Sequence, residues 1–574
     1  MNNKQCRKLK RKDLKIKNLV QFSLTILILG LIIYLSSVLY FRIDLTSEKR
    51  YTLTNATRNI LRNLEQELFI QVYLEGEMPI GFKNMRRATK ELLDEFRIYS
   101  GKKVIYEFIN PAESHDQKVR NEVFRELDSK GLKATNALFS DKEGGRSQKI
   151  IFPGAIVNYN GMEMAVNLLK NNPLLNHSQN LHNSIEGLEY EFIHVIKNIS
   201  SDTIYKVAFI EGHGELDEYQ VGDITMELAR FYHVDRGIIG GKPGILDDYA
   251  AVIVAKPREA FSEADKFVID QYIMNGGGVL WLIDAVRVDW DSLEQTGVTV
   301  GLIEQINLDD QLFKYGVRIN PKLIQDINCA IIPINIAFVG QQPKYVPAPW
   351  LYFPLLFPLE NHPVTKNLNL IRSEFVNVID TVGVEGRIKK KILLRSSKDT
   401  RVVSVPVFIR LEDIKDPPAE REFNKPFQSA AVLLEGEFES VFKNRMISQY
   451  IKNQDVDFRD HSIPNRMIIV ADGDVIRNEV SVRADRIIPL TLGQDRYTQQ
   501  TYGNKEFILN AVHYLAEETS LVEIRSRTLT LRLLDKTKII NEKFKWQLIN
   551  TVLPVLILVL FGLVNRYFRK RKFA

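Results

Sequence analysis

Two apolar runs without a charged residue, Leu19 to Phe41 and Trp546 to Val564, constrain this chain more than any other feature. The first, as a helix rising ~1.5 Å per residue, measures roughly 34 Å, enough to cross a hydrocarbon core of about 30 Å. Its length, and the lack of a small-x-small cleavage site after it, argue against a removable signal peptide, so a retained anchor is expected. The second begins at an interfacial Trp546 and is followed by Arg566, Arg569, Lys570, Arg571 and Lys572, flanks that a buried core helix does not normally carry. Pro554 is tolerable inside a span, because neighbouring helices or a local kink can satisfy the freed carbonyl.

Charge gives the two runs an orientation. Residues 1–18 hold eight Lys and Arg against Asp13 alone, and residues 565–574 hold five with no acid. The formal net charge of +6 therefore divides into +12 at the two ends and −6 between them. Both basic clusters lie outside their run, so the positive-inside rule places both tails in the cytoplasm and the roughly 500 residues between the spans across an inner membrane, in the periplasm. The basic character belongs to the tails and gives no reason to expect nucleic-acid binding by the body. Cys6 and Cys329 then fall on opposite sides, and two cysteines make neither a disulfide scaffold nor a four-thiolate zinc site. Neither span carries an intramembrane charge, and two helices are too few to line a translocation path, so any channel must come from another subunit.

A body of this length needs more than one core. Residues 49–180 read as a small α/β domain: a strand pattern at 68–76, helical spacing from Met85 to Tyr99, a strand at 103–111, a helix from Gln117 to Ser129, and strands near 149–157 and 163–168. A parallel crossover is the economical topology for its start. A helix from Asn183 to Asn198 follows, with Asn183 and Glu186 spaced as a capping box and Glu186, Glu189 and Glu191 read as a solvated face. From 183 to 520 a larger α/β domain with insertions is expected. Its buried strands are KVAFI (206–210), AAVIVAKP (250–257) and VLWLID (279–284), with RMIIVADGDVI (466–476) as a late strand, and its helices run over 223–232, from Ser262 as cap to Met274, and over 505–515. Continuous apolar strands alternating with amphipathic helices predict a parallel sheet covered on both faces. The interval from about 300 to 460 reads as loops and mixed strands, and a charged linker, 521–545, leads into the second span.

The most site-like sequence is Glu211-Gly212-His213-Gly214-Glu215, directly after the strand KVAFI. Carboxyl ends of strands in open α/β sheets bind ligands, and a His between two carboxylates suits a base or part of a metal site. The simpler reading is a tight strand-to-loop turn with φ > 0 at both glycines, since one His and two Glu without a distant partner are not a recognisable ligand set. Gly237-Ile238-Ile239-Gly240-Gly241-Lys242 misses the phosphate-loop spacing by one residue, and Pro243 stands where Ser or Thr is required. The Gly276–Gly278 run follows a helix, the wrong order for a dinucleotide fingerprint. There is no Gly-x-Ser-x-Gly and no His-Glu-x-x-His, and Cys329 sits in an unlike context. No cofactor, metal or catalytic residue is expected. The proline-rich segment around Trp350, Tyr352 and Phe353 either displays its aromatics as a contact surface or packs them beneath a loop.

Seven stretches in order, RIDLTSEKRYTL (42–53), NSIEGLEYEF (183–192), FIEGHGELDE (209–218), YGVRINPKLIQD (315–326), HPVTKNLN (362–369), LLEGEFESVFKNR (433–445) and IRSRTLTLRLLDK (524–536), resemble the GldG family of gliding-motility-associated ABC transporter proteins of Bacteroidota. The likeness runs nearly end to end and includes both spans. It implies a membrane-anchored, substrate-binding-type auxiliary subunit working with a separate ATPase and permease, and a second domain resembling glutamine amidotransferases that have lost their nucleophile. The expectation is thus a non-enzymatic accessory subunit that couples ATP-driven movement of its partners to a periplasmic body engaging a ligand or protein. Two alternatives stand beside it: a periplasmic hydrolase or metal enzyme centred on His213, and a structural anchor of an envelope or motility complex.

Overall fold

The computed structural model describes residues 19–31, 33–34, 52–140, 146–170, 177–201, 204–335, 342, 344–359, 362–383, 386–445, 458–483, 486–498, 500–516 and 536–573. Thr52–Arg527 forms one compact unit, and Met1–Tyr51 with Thr528–Ala574 forms another.

In the terminal unit a helix runs from Lys536 to Phe573 with Pro554 inside it, and its stretch Glu542–Phe568 is long and apolar enough to cross a membrane. At ~1.5 Å per residue that stretch measures roughly 40 Å. Trp546 Nε1 donates to Glu542 Oε2 one turn earlier at 2.9 Å. Of the first predicted span the apolar helix Leu19–Leu31 is described. Most of its continuation to Phe41, the basic tail 1–18 with Cys6, and residues 521–535 of the predicted linker lie outside the described residues.

The compact unit holds two principal sheets. The smaller has the order Val104–Phe108, Leu68–Val72, Gly154–Tyr159, Met162–Asn167, and its first pair is parallel across the helix Ile80–Tyr99, as the crossover reading expects. The helix from 183 differs from expectation: it starts at His177, places Asn183 inside, and ends at Ser200. Leu188, Phe192, Ile193, Val195, Ile196 and Ile199 pack into the core of the smaller sheet rather than opening the next domain. Its acidic residues are not a solvated face. Glu189 Oε1 accepts from Thr54 N at 2.8 Å and Thr57 Oγ1 at 2.7 Å, Glu191 pairs with Lys170 at 2.5 Å, and Glu186 with His182 at 2.8 Å. Helical periodicity could not reveal these partners, since all but His182 come from other elements.

The larger sheet has ten strands. Five of them, in the order His233–Ile238, Lys206–Glu211, Tyr249–Ala255, Gly278–Leu282, Asn465–Val470, are parallel. Numbered along the chain this is 2-1-3-4-5, a doubly wound order whose switch point lies between Lys206–Glu211 and Tyr249–Ala255. The apolar runs are continuous because both faces are covered. Phe209, Ile253, Leu280 and Ile468 pack on the face bearing helices Gly222–Leu228 and Asn504–Ala516, and Ile210, Val254, Trp281 and Ile469 pack on the face bearing helix Glu263–Met274. Ser262 caps that last helix, its hydroxyl accepting from Asp265 N at 3.1 Å.

The region predicted as mixed strands extends the sheet. Ser429–Gly436 adds antiparallel to Asn465–Val470, followed by Ile388–Arg395, Tyr345–Pro358 and Cys329–Asn335. A three-stranded sheet in the order Asn377–Thr381, Val317–Asp326, Thr400–Ser404 lies within the same interval.

Candidate functional site

Doubly wound sheets place their ligands at the carboxyl ends of the parallel strands. Three features of this chain gather there, and the first is the predicted loop. Gly212 and Gly214 adopt φ of +110° and +71°, the left-handed turn that their positions call for. The turn folds His213 inward, 5% exposed, with its ring stacked on Phe261 at 3.7 Å between centroids. Nδ1 lies 3.1 Å from Glu215 Oε1 and Nε2 lies 3.3 Å from Asp265 Oδ2. Glu215 also accepts from His213 N at 2.7 Å, and His213 O accepts from Arg258 N and Glu259 N. Burial alone would lower the imidazole pKa, but the hydrogen bonds and charges of Glu215 and Asp265 outweigh it and raise the value. The histidine is therefore a clamp between the strand end and the helix Glu263–Met274, with its charged form favoured by both carboxylates. With both nitrogens engaged it offers no free lone pair to a substrate or metal. Glu211 is likewise committed, to Arg236 at 2.8 Å.

The near-miss phosphate loop is also engaged from within: Gly241 N donates to Asp265 Oδ1 at 2.7 Å. One carboxylate thus ties the glycine loop, the Ser262 hydroxyl and His213 together.

The second feature was not legible as a motif, because its members are far apart in sequence. Lys256, Asp284 and the Asp472-Gly473-Asp474 turn follow three adjacent parallel strands, so the sheet brings them to one edge. Asp284, Asp472 and Asp474 place carboxylate oxygens within 4.8 Å of one another, a donor set that would suit a cation. Lys256 Nζ already bonds Asp474 and lies 3.4 Å from Asp284 Oδ2, so the ammonium supplies that positive charge. Burial alone would lower the pKa of Lys256, but Asp474 and Asp284 raise it. Burial together with the neighbouring Asp474 and Asp284 carries Asp472 well above the carboxylate range, whereas Asp474 is held low by Arg477 and Lys256 against the cost of its burial. Arg477 Nε stands 2.8 Å from Asp474 Oδ1, and Gly473 N donates to Asp284 Oδ1 at 2.6 Å. Lys256 holds a left-handed φ of +57°, and its stem lies where a Cβ on Gly473 would come within 2.4 Å, so only glycine fits. Sequence reasoning would have needed the strand order to find this network.

The third feature is a cavity of about 670 Å³ beside Asp284. Its apolar wall includes Ile283, Ile306, Leu308, Leu312 and Ile319, and its charged wall includes Glu304, Asp309, Asp310, Lys314, Arg318, Lys443 and Arg445. Much of it comes from the YGVRINPKLIQD and LLEGEFESVFKNR stretches. A buried Asp270 fixes these walls: it accepts from Tyr315 OH at 2.8 Å, Ser440 Oγ at 2.6 Å, Val441 N at 3.1 Å and Gln271 Nε2 at 3.0 Å. Burial raises its pKa despite those four donors. Lys266, fully buried, bonds Asp310 at 2.7 Å and Glu263 at 3.0 Å, and Arg445 bonds the same two acids. The cavity is thus pre-formed, as ligand pockets usually are.

The aromatic segment resolves to packing rather than display. Trp350, Tyr352 and Phe353 are 2%, 4% and 2% exposed, and they pack with Phe375, Ile332 and Leu323. Despite its prolines the segment is a strand, Tyr345–Pro358, between Cys329–Asn335 and Ile388–Arg395. These side chains offer no contact surface. Burial, with Asp326 beside it, pushes the Cys329 thiol up to about 12, far from a nucleophilic thiolate.

A family model described as an ABC-type uncharacterized transport system matches residues 205–511, and a model for a domain of unknown function matches residues 47–158. An uncharacterized protein of Borreliella burgdorferi is 21% identical over 579 residues, covering 98% of this chain and 100% of its own length. Among solved structures, the mmIFT52 N-terminal domain aligns with 54% of this chain and 96% of its own at 11% identity, and its TM-score of 0.30 is too low to inform fold or function. The first family model spans more than half of the chain, including the parallel strands, the His213 loop, the Lys256 network and the cavity. The protein belongs to the family of ABC-type transport systems that this model describes.

Proposed function

We propose that the protein is a non-catalytic, membrane-anchored auxiliary subunit of an ABC transporter, related to the gliding-motility-associated GldG group. In this reading Leu19–Phe41 and Trp546–Val564 are the spans that dock on a permease, both basic tails stay with a cytoplasmic ATPase, and the α/β body lies in the periplasm and engages a ligand or protein partner. Movement of the partner's spans is passed through these two helices to the body. The second domain is read as glutamine-amidotransferase-like without its nucleophile.

The family match over residues 205–511 carries this proposal. Two further observations support it: the helix Glu542–Phe568 has span length, and the sequence lacks a phosphate loop, which leaves ATP hydrolysis to another chain. Engagement of both His213 nitrogens by Glu215 and Asp265 favours the non-catalytic reading over a hydrolase or metal enzyme. A reporter fused near residue 300 tests the topology. Signal only from an enzyme active outside the cytoplasm is expected, and a reporter active only in the cytosol would remove the physical basis of the assignment.

A further inference from the structure

The walls of the cavity beside Asp284 restrict the charge of what it can hold. Four acids, Asp284, Glu304, Asp309 and Asp310, and four bases, Lys314, Arg318, Lys443 and Arg445, line it, so the lining as a whole is neutral. Arg258 joins Asp284 and Glu304 at 3.7 Å and 3.1 Å, Arg445 joins Asp310 at 2.7 Å, and Glu439 takes Lys314 at 3.0 Å and Lys443 at 2.9 Å. A ligand with a formal charge has to compete for groups that these pairs already hold. Drawing Arg258 away, for instance, would leave Glu304, its side chain 7% exposed, without that cation. The paired groups nevertheless keep hydrogen-bonding capacity, since a carboxylate offers about four acceptor positions and an ammonium three donors. The polar part of the lining therefore suits an uncharged ligand rich in hydroxyls.

The apolar part is open at two side chains. Ile283, Ile306, Leu308, Leu312 and Ile319 are at most 7% exposed, whereas Ile303 and Phe313 are each 57% exposed. Large apolar side chains left open at a pre-formed cavity mark a ligand contact. A pyranose ring meets both requirements, because hydroxyls surround it while its C–H face is apolar and packs on an aromatic side chain. We propose that this cavity binds a neutral sugar, with a C–H face on Phe313 and hydroxyls on the ion-paired groups of the lining. The volume of about 670 Å³ lies within the range of small-ligand sites, and Ile283 and Asp284 place the cavity at the carboxyl end of the strand Gly278–Leu282. The inference rests on the reading of the body as the ligand-engaging part of the subunit.

Calorimetric titration of the full chain in lipid nanodiscs, kept free of sugar detergents and blanked with empty nanodiscs, tests it. The neutral probes are cellobiose, maltose and N,N′-diacetylchitobiose, and the charged counterparts are cellobiouronate and deacetylated chitobiose. Saturable binding of at least one neutral disaccharide is expected, with both charged probes weaker by roughly tenfold or more. Phe313→Ala should weaken the neutral sugar by a similar factor, and Arg318→Glu, which makes the lining net negative, should shift preference toward chitobiose. Both side chains are exposed, so an unchanged thermal midpoint verifies the fold of each variant. No binding of any neutral probe, charged probes binding as tightly, undiminished binding by Phe313→Ala, or an unchanged preference in Arg318→Glu would overturn the proposal. Co-purification of an ATPase and a permease with the same wild-type preparation separates the two readings. If they co-purify and no neutral sugar binds, the ligand proposal alone fails; if they do not, the accessory-subunit reading fails.

Discussion

Replacing His213 distinguishes a clamp from a catalytic base. The imidazole sits between Glu215, whose side chain is 2% exposed, and Asp265, 13% exposed, so His213→Ala leaves two largely buried carboxylates without their cation and removes the ring stacked on Phe261. Breaking a buried ion pair by removing one partner costs about 3–5 kcal/mol, and that is the expected loss at pH 6. The pH dependence has a definite sign. The folded pKa is raised above the unfolded value, so the stabilisation is fully present below about 6.5 and is lost as pH rises through the folded pKa. Denaturant unfolding of the wild type and His213→Ala in detergent, followed by tryptophan fluorescence from pH 5.5 to 9, should therefore show a stability gap that is widest at the acid end and narrows upward. Folded variant at permissive temperature should still assemble with its partners. A gap that is absent at pH 6 or that widens with pH would refute the clamp, and a variant as stable as wild type but functionally dead would revive the enzyme reading.

Other substitutions probe the remaining geometry. Lys256→Met should cost about 3–5 kcal/mol by stranding Asp474 and Asp284, and adding Asp474→Asn should recover part of the loss in the same unfolding assay. Gly473→Ala, which drives a Cβ onto the Lys256 stem, should cost about 1–3 kcal/mol by overpacking, read as a lowered denaturation midpoint. Trp350→Ala should cost about 3–5 kcal/mol because it empties a packed core position; a change within about 0.5 kcal/mol would mean that the side chain is surface after all.

The parallel strands were legible because both faces of the sheet are buried, which leaves an unbroken apolar run wherever a strand passes through. Ser262 marked a helix start as a cap, and the glycines around His213 marked a turn. The His177 start was missed because the residues just before it carry no apolar period, and the interior Asn183–Glu186 pair imitated a cap. In the proline-rich segment, prolines argued against a strand that its aromatics make worthwhile by filling the space over Phe375 and Leu323. The Lys256 network was invisible for a different reason: Lys256, Asp284 and Asp474 meet only once strands separated by a long insertion become neighbours. The roles of Glu215 and Asp265 depended likewise on contacts across the fold, so the loop could be located from sequence while its chemistry could not.

Mass spectrometry of the intact complex extracted in mild detergent tests the auxiliary-subunit assignment most directly. The protein is expected to come out with an ATP-hydrolysing chain and a polytopic membrane chain in fixed ratio. Recovery of this chain alone, or only as copies of itself, under conditions that keep other ABC complexes whole, would contradict it.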